Sequence, residues 1–152
     1  MSALITVDDA LRHILGPITV LPAEHVPTPD ALGRVLAGDI VSHNNIPPFL
    51  NSSMDGYAVR AADVAGAGRD HPVRLPVVMD LPAGQVPARA LATGEAARIM
   101  TGAPLPDGAD TVIPVEDTGD RWTPDGAAPL PDTVSIYRSA QPGDFTRAPG
   151  ED

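Results

Sequence analysis

Proline and glycine interrupt this chain so often that long helices and long unbroken strands are excluded. Its 152 residues include 18 Pro and 14 Gly, which together make up about one residue in five. Proline fixes the backbone and removes an N–H donor, and glycine commonly ends a regular element. Hydrophobic residues still account for 43 % of the chain, enough to build a core. We therefore predict one domain, or two small ones, made of short elements joined by turns.

One short helix is predicted near the start. Thr6 and Asp9 have the spacing of an N-cap followed by an acidic residue, and apolar side chains then recur at helical intervals. The Gly16-Pro17 pair ends the pattern, so the helix spans Val7–Leu15. Residues 18–21 and 35–43 are rich in residues that favour strands, and we predict a strand in each.

The central part of the chain has a β pattern. Short runs of β-forming residues alternate with Gly and Pro turns, and we predict strands at 56–60, 73–80, 95–100, 111–115 and 133–137. Single helical turns are expected at 61–66 and 106–109. Many short strands of this kind favour a small barrel or folded sheet over about residues 50–138. The predicted fold class is mainly β with a few short helices (α+β).

The charge balance excludes several functions. Twenty acidic residues face ten basic ones, all arginine, for a net charge of −10. Such a chain repels nucleic acid and anionic membrane surfaces, so neither is an expected partner. The absence of Lys and Cys excludes a Schiff-base lysine, a thiolate nucleophile and a thiolate metal site. No apolar run approaches the length of a membrane span, and we expect a cytoplasmic protein.

Three familiar patterns in the sequence are better explained as turns or solvated surface. Residues 117–119 read Asp-Thr-Gly, as in aspartic proteases, but the apolar strand that precedes such a loop is missing. Residues 66–68 begin a dinucleotide-binding glycine pattern that is not completed. The four histidines lack the spacing of zinc ligands.

Two other segments have the composition of a functional site. The first reads NSSMDGYA at residues 51–58, where Asp55 next to Gly56 is placed to accept hydrogen bonds or hold a cation. The second reads RIMTGAP at residues 98–104, where the hydroxyl of Thr101 and the N–H of Gly102 suit an oxyanion. From chemistry alone, each segment is also consistent with a local turn beside a strand.

These two segments and the terminal Gly-Glu-Asp at 150–152 occur in an order that resembles the N-terminal part of the molybdopterin molybdenumtransferase family, which is related to the gephyrin E domain. The resemblance runs from about residue 7 to residue 152. It implies an enzyme that inserts molybdate into adenylylated molybdopterin, releases AMP and requires Mg²⁺. It also implies an elongated homodimer whose main substrate-binding domain lies outside this sequence, so that the chain alone is inactive.

The resemblance further implies a division of the chain into three parts. Residues 1–17 form a helix that packs on an absent α/β domain. Residues 18–46 and 141–152 form a discontinuous dimerisation domain, and residues 47–140 form an inserted β domain.

The same motifs assign site residues. By resemblance, Asp55, Thr101 and Asp152 are the catalytic residues, and the two carboxylates are the expected Mg²⁺ ligands. Thr101 is expected to donate a hydrogen bond to an oxyanion. Substrate-binding residues are expected at Asn51, Ser53, Gly102 and Arg98.

Two alternatives stay open on the sequence. A β domain on a dimer stalk also suits a non-enzymatic scaffold that recruits a protein partner, although such a scaffold has no need of the three catalytic positions named above. An acidic β barrel that binds a sugar or peptide is a further alternative. Molybdate and tungstate match closely in size and charge, so the sequence does not distinguish a molybdenum from a tungsten cofactor.

Overall fold

The first of two structural units contains helix α1 and little other regular structure. The computed structural model describes residues 4–122 and 129–151, and its contacts divide the chain into Met1–Val41 and Ser42–Asp152. Helix α1 is Val7–Leu15, as predicted. The hydroxyl of Thr6 caps it by accepting a hydrogen bond from the Asp9 N–H at 3.1 Å, and the Gly16 N–H closes it on the Arg12 carbonyl.

The strands predicted at 18–21 and 35–43 are wrong. In the described part of this unit the chain has only α1, a 3₁₀ turn at Thr28–Asp30 and irregular segments. A strand is defined by hydrogen bonds to a neighbouring strand, and neither segment has one. A β-forming composition is therefore insufficient without a partner.

The first unit exposes its apolar side chains. Between residues 4 and 41 no side chain is buried. The large apolar residues that are more than half exposed are Leu4, Ile5, Val7, Ile14, Leu15, Ile18, Val20, Leu21, Leu32, Val35, Leu36, Ile40 and Val41. Apolar exposure on this scale is typical of a surface that another protein element covers.

The second unit is built on a five-stranded sheet. Its strands are β2 (Gly56–Val59), β3 (Val73–Leu81), β4 (Ala96–Ile99), β5 (Thr111–Pro114) and β6 (Thr133–Ile136), in the order β5-β2-β4-β3-β6. Two further strands, β1 (Asn51–Ser52) and β7 (Thr146–Arg147), form a separate antiparallel pair. The five strands predicted between residues 56 and 137 are confirmed to within two residues at each end, and so is a mainly β fold.

The two helical turns predicted in this unit have different outcomes. A 3₁₀ turn at Ala61–Val64 confirms the prediction at 61–66. Residues 106–109 form a turn without a helix, so the second prediction is wrong. Gly108 has a φ of +90° there, which a right-handed helical turn does not accommodate.

Hydrogen bonds between its two edges give the sheet a barrel-like curl. After β5 the chain makes a 3₁₀ turn and then runs beside the end of β6. The Gly119 N–H donates to the Ser135 carbonyl at 2.8 Å, and the Tyr137 N–H donates to the Asp117 carbonyl at 2.9 Å. We call this contact between residues 117–119 and 135–137 the seam.

A bulge in β3 lets one strand contribute to two cores. Val77 pairs with Ala96, but Met79 pairs with Ala97, so β3 has one extra residue at this point. The extra residue moves the buried side chains from one face of the sheet to the other. Val77 accordingly packs in a cluster with Tyr57, whereas Met79 packs in the cluster on the opposite face. Both faces of the central strands are therefore buried.

No described helix is long and apolar enough to cross a bilayer.

Candidate functional site

Two loops lie side by side where β2 begins and β4 ends. The first loop contains β1 and leads to Asp55; the second comprises residues 100–105. Backbone hydrogen bonds join them along their length, so that they form one rigid surface. These bonds run from the Leu105 N–H to the Leu50 carbonyl (3.1 Å), from the Ser52 N–H to the Ala103 carbonyl (3.0 Å) and from the Gly102 N–H to the Ser52 carbonyl (2.8 Å).

The strand register brings Asp55 and Thr101 together. Strands β2 and β4 are antiparallel and pair Gly56 with Ile99. The residue before Gly56 and the residues after Ile99 therefore meet at the same end of this strand pair. Oδ1 of Asp55 accepts hydrogen bonds from the Thr101 N–H and from the Thr101 hydroxyl, each at 2.7 Å. Both side chains are exposed to solvent. The two residues selected from separate motifs therefore form one pair on a shared surface.

Glycine is required at two positions beside this pair. A Cβ on Gly56 would lie 2.0 Å from the carbonyl oxygen of Ile113, because β2 and β5 approach closely there. Gly102 has a φ of +82°, which a residue with a side chain adopts only under strain. These two glycines let the backbone turn and pack tightly enough to hold Asp55 against Thr101.

The two donors expected to face an oxyanion are already in use. The single hydroxyl proton of Thr101 is donated to Asp55, and the Gly102 N–H is donated to Ser52. By contrast, Oδ2 of Asp55 makes no hydrogen bond with a described residue. The atom of this pair that stays available to ligands is thus a carboxylate oxygen, and Thr101 holds the carboxylate through two hydrogen bonds.

Strand β7 adds an arginine that the sequence motifs do not indicate. The antiparallel register pairs Arg147 with Asn51, and Nε of Arg147 donates to Oδ1 of Asn51 at 3.3 Å. Among the described residues Arg147 has no carboxylate partner. In the sequence, its only signal is one basic residue in a short β-forming run between two Pro/Gly turns.

An unusual backbone conformation brings β7 to this position. Phe145 has a φ of 55°, which costs about 1–2 kcal/mol for a bulky side chain. Its ring packs against the core cluster that contains Met79, and the Arg138 guanidinium lies 5.3 Å from the ring centre. The Phe145 carbonyl accepts the Ser53 N–H at 3.0 Å. These contacts hold Phe145 in its strained conformation and thereby keep β7 against the loop that carries Asp55.

Arg98 is engaged elsewhere, in the interior of β4. Its guanidinium forms a bidentate ion pair with Asp80, with nitrogen-to-oxygen distances of 2.9 and 2.6 Å. Arg98 is only 6 % exposed. The hydrogen bond with Asp80 raises the pKa of Arg98. In the strand register Arg98 lies opposite Tyr57, whose pKa burial raises. The structure therefore shows a structural contact for Arg98, and its predicted contact with substrate stays a prediction.

Asp152, the third predicted catalytic residue, lies outside the described residues. The chain leading to it is anchored near the first loop: the Gly150 N–H donates to the Pro47 carbonyl at 3.0 Å, and Glu151 accepts from the Ala148 N–H at 2.7 Å. The catalytic and metal-binding roles predicted for Asp152 stay predictions.

The described residues offer few ligands for a Mg²⁺ ion. They include no group of three or more His, Asp or Glu side chains arranged to hold a metal. Asp55 nevertheless offers one exposed carboxylate oxygen with no competing donor among the described residues. Magnesium commonly takes one or two carboxylates and keeps several waters or substrate phosphates. The donor chemistry at Asp55 fits such an ion.

A protein-family model matches almost the whole chain. The model described as "MoeA N-terminal region (domain I and II)" matches residues 5–152.

Curated relatives share a name. Molybdopterin molybdenumtransferase 2 of Mycobacterium tuberculosis (strain CDC 1551 / Oshkosh) is 48 % identical over 127 residues, which cover 84 % of this chain and 29 % of that protein. Molybdopterin molybdenumtransferase of Bacillus subtilis (strain 168) is 39 % identical over 148 residues, covering 97 % of this chain and 33 % of that protein. The chain thus spans about a third of the length of these relatives.

A solved structure has the same fold. The molybdopterin biosynthesis moeA protein from Pyrococcus horikoshii OT3 is 36 % identical and superimposes with a TM-score of 0.78. The match covers 99 % of this chain and 38 % of that one. The mainly β architecture described above is therefore also that of a solved relative.

Proposed function

The chain belongs to the MoeA N-terminal region family, and we propose that it forms the N-terminal region of a molybdopterin molybdenumtransferase. The complete enzyme would insert molybdate into adenylylated molybdopterin and release AMP. The names of the curated relatives support the reaction class. The observation that carries the proposal is the contact between Asp55 and Thr101, because it joins two distant motifs into one exposed site.

In this proposal Asp55 acts on the substrate and Thr101 positions Asp55. The two hydrogen bonds from Thr101 fix Oδ1 and leave Oδ2 directed to ligands. A carboxylate held in one orientation loses less freedom when it contacts a substrate or a hydrated cation. Bound Mg²⁺ would supply neutralisation of phosphate charge beside Asp55, and Asp152 is the second candidate ligand.

Arg147 is the cationic contact that this site offers to an anionic substrate. Both proposed substrates are anions, whereas the chain carries a net charge of −10. Arg147 has no described carboxylate partner, and in the β1–β7 pair it lies opposite Asn51, to which its guanidinium donates a hydrogen bond. A guanidinium with donors left over can bind phosphate through charge-assisted hydrogen bonds. We also propose that Asn51 and Ser53 contact the substrate, and that Gly102 and Arg98 support the site indirectly, because the Gly102 N–H is donated to Ser52 and the Arg98 guanidinium is paired with Asp80.

The rest of the active enzyme is proposed to lie outside this chain. The chain covers about a third of its relatives, so we propose that by itself it is inactive and binds molybdate and nucleotide weakly. The exposed apolar residues of the first unit support a covered surface in the complete protein, and we propose that the complete protein is a cytoplasmic homodimer.

The proposal is tested by AMP release from a full-length enzyme that carries this chain. Asp55→Asn keeps the shape of the side chain but removes its charge, and we expect turnover to fall by about 100-fold or more. Asp70→Asn is the matched control, because Asp70 is also exposed and makes no side-chain hydrogen bond with a described residue. Undiminished turnover with Asp55→Asn, or an equal loss with the control, would refute the proposed role.

A further inference from the structure

A groove runs along the seam of the barrel-like sheet. It consists of two adjoining cavities of about 370 and 240 Å³, which share Gly119, Asp120 and Tyr137. A combined volume of this size falls within the range of small-molecule sites. Gly119 forms part of its wall, and a Cβ there would lie 2.8 Å from the Tyr137 hydroxyl. We call it the seam groove.

Arginine is concentrated in this groove. Six of the ten arginines form ion pairs with described carboxylates, and the other four have no such partner among residues 4–122 and 129–151. One of the four is Arg147, and the other three, Arg69, Arg74 and Arg121, all line the seam groove. In a chain with a net charge of −10, three guanidiniums without described carboxylate partners around one groove need an explanation.

Two of these arginines are held in place by neighbours that leave their charge available. The guanidinium of Arg69 lies 5.9 Å from the centre of the Tyr137 ring, a cation–π contact. Arg74 donates to the hydroxyl of Thr133 at 3.4 Å. An aromatic ring and a neutral hydroxyl orient a guanidinium without neutralising it, so both arginines can still bind an anion.

The acidic residues of the groove only partly offset this charge. Asp120 is surrounded by donors: Oδ2 accepts from the Tyr57 hydroxyl and from the Trp122 indole N–H, and Oδ1 accepts from the Arg121 N–H at 2.9 Å. These neutral donors engage both carboxylate oxygens of Asp120 but leave its negative charge in place. Among the residues that the structure describes, Glu116 is the other carboxylate that lines the groove, and it is exposed.

We propose that the seam groove is a binding site for a small ligand that carries two or more oxyanionic groups, phosphates or carboxylates. Several guanidiniums with spare donors match the geometry of such groups. Hydroxyls of Thr133, Ser135 and Tyr137 along the same wall add neutral donors. The proposal does not depend on the reaction proposed above.

The test is calorimetric titration of the 152-residue chain at low salt with pyrophosphate and, separately, with citrate. Saturable binding of either probe supports the proposal, and the preferred probe identifies the oxyanion. We expect Arg69→Gln and Arg121→Gln each to weaken binding about tenfold. Arg89→Gln is the matched control: Arg89 is exposed but paired with Glu95 at 2.8 Å, and its loss should leave binding unchanged.

Two outcomes would overturn the proposal: a failure of both probes to saturate at low salt, or binding that persists unchanged in both groove variants. Amide chemical shifts of the unmodified chain give an independent readout that needs no variant. On titration, the shifts should move at Gly119 and Tyr137 and stay constant at Gly94, which lies outside the groove. Movement at Gly94 alone would also contradict a site at the seam.

Discussion

Among the glycines that the structure describes, replacing Gly56 by alanine should destabilise the fold more than any other such change outside a turn. The added Cβ would lie 2.0 Å from the Ile113 carbonyl oxygen, 2.9 Å from its carbon and 3.0 Å from Cα of Pro114. All three are backbone atoms of the paired strand, so no side chain can rotate away to make room. Strand β2 also pairs with β4 on its other side, which prevents it from retreating.

The cost can be estimated from overpacking. Forcing extra methyl groups into packed regions costs about 1–3 kcal/mol of stability. In Gly56→Ala the methyl group meets backbone on a strand that is paired on both sides, so we expect the free energy of unfolding to fall by about 3 kcal/mol or more. For a chain of this length each kcal/mol lowers the Tm by about 2–4 °C, so we expect a decrease of about 6–12 °C or more. Urea unfolding followed by circular dichroism measures the free energy directly.

Gly68→Ala is the matched control for this experiment. A Cβ on Gly68 would meet no atom within 4 Å, and its φ is not left-handed, so alanine should change the stability by less than about 1 kcal/mol. If the free energies of unfolding of Gly56→Ala and Gly68→Ala differ by less than about 1 kcal/mol, then β2 and β5 do not lie close enough to exclude a side chain. The structural basis for the position of Asp55, which precedes β2, would then be lost.

Two further predictions concern stability. Tyr57→Phe removes a buried hydroxyl that donates to Asp120, and it should cost about 1–2 kcal/mol in urea unfolding; Tyr137→Phe, which removes a hydroxyl with no hydrogen bond to a described residue, should cost less. The hydrogen bond from Arg89, followed by that from the Ala92 N–H, lowers the pKa of Glu95. Since the folded pKa is the lower one, the stabilisation from this carboxylate is complete above the unfolded pKa and is lost as the pH falls through the folded pKa. Arg89→Gln should therefore reduce the acid sensitivity of unfolding, and an unchanged pH profile would contradict the assigned cause.

The strands of the second unit are predictable because each is a short β-forming run between Gly or Pro turns. In the first unit the same composition at 18–21 and 35–43 produces no strand, because pairing depends on a partner that composition does not reveal. The bulge between Val77 and Met79 is also hidden, since the extra residue leaves the alternating pattern of β3 intact. Sequence periodicity therefore identifies strands but not their partners.

The candidate site is predictable as a set of residues but not as a set of contacts. The motifs indicate Asp55 and Thr101, and the β2–β4 register explains why they meet. Which donors remain open depends on hydrogen bonds between loops that are distant in sequence, so the use of the Thr101 hydroxyl and the Gly102 N–H could not be foreseen. The position of Arg147 could not be predicted from the sequence for the same reason, because only the pairing of β1 with β7 brings it to Asn51.

A double-mutant cycle on AMP release by the full-length enzyme measures whether Asp55 and Thr101 function as one unit in the reaction. Thr101→Val should lower turnover about tenfold because it removes one of the two hydrogen bonds that orient the carboxylate, and Thr101→Ser, which keeps the hydroxyl, should retain most of the turnover. In the Asp55→Asn background, Thr101→Val should have little further effect, because the carboxylate that it positions is already gone. If the two losses instead multiply, the residues act independently, and Thr101 does not act by positioning Asp55.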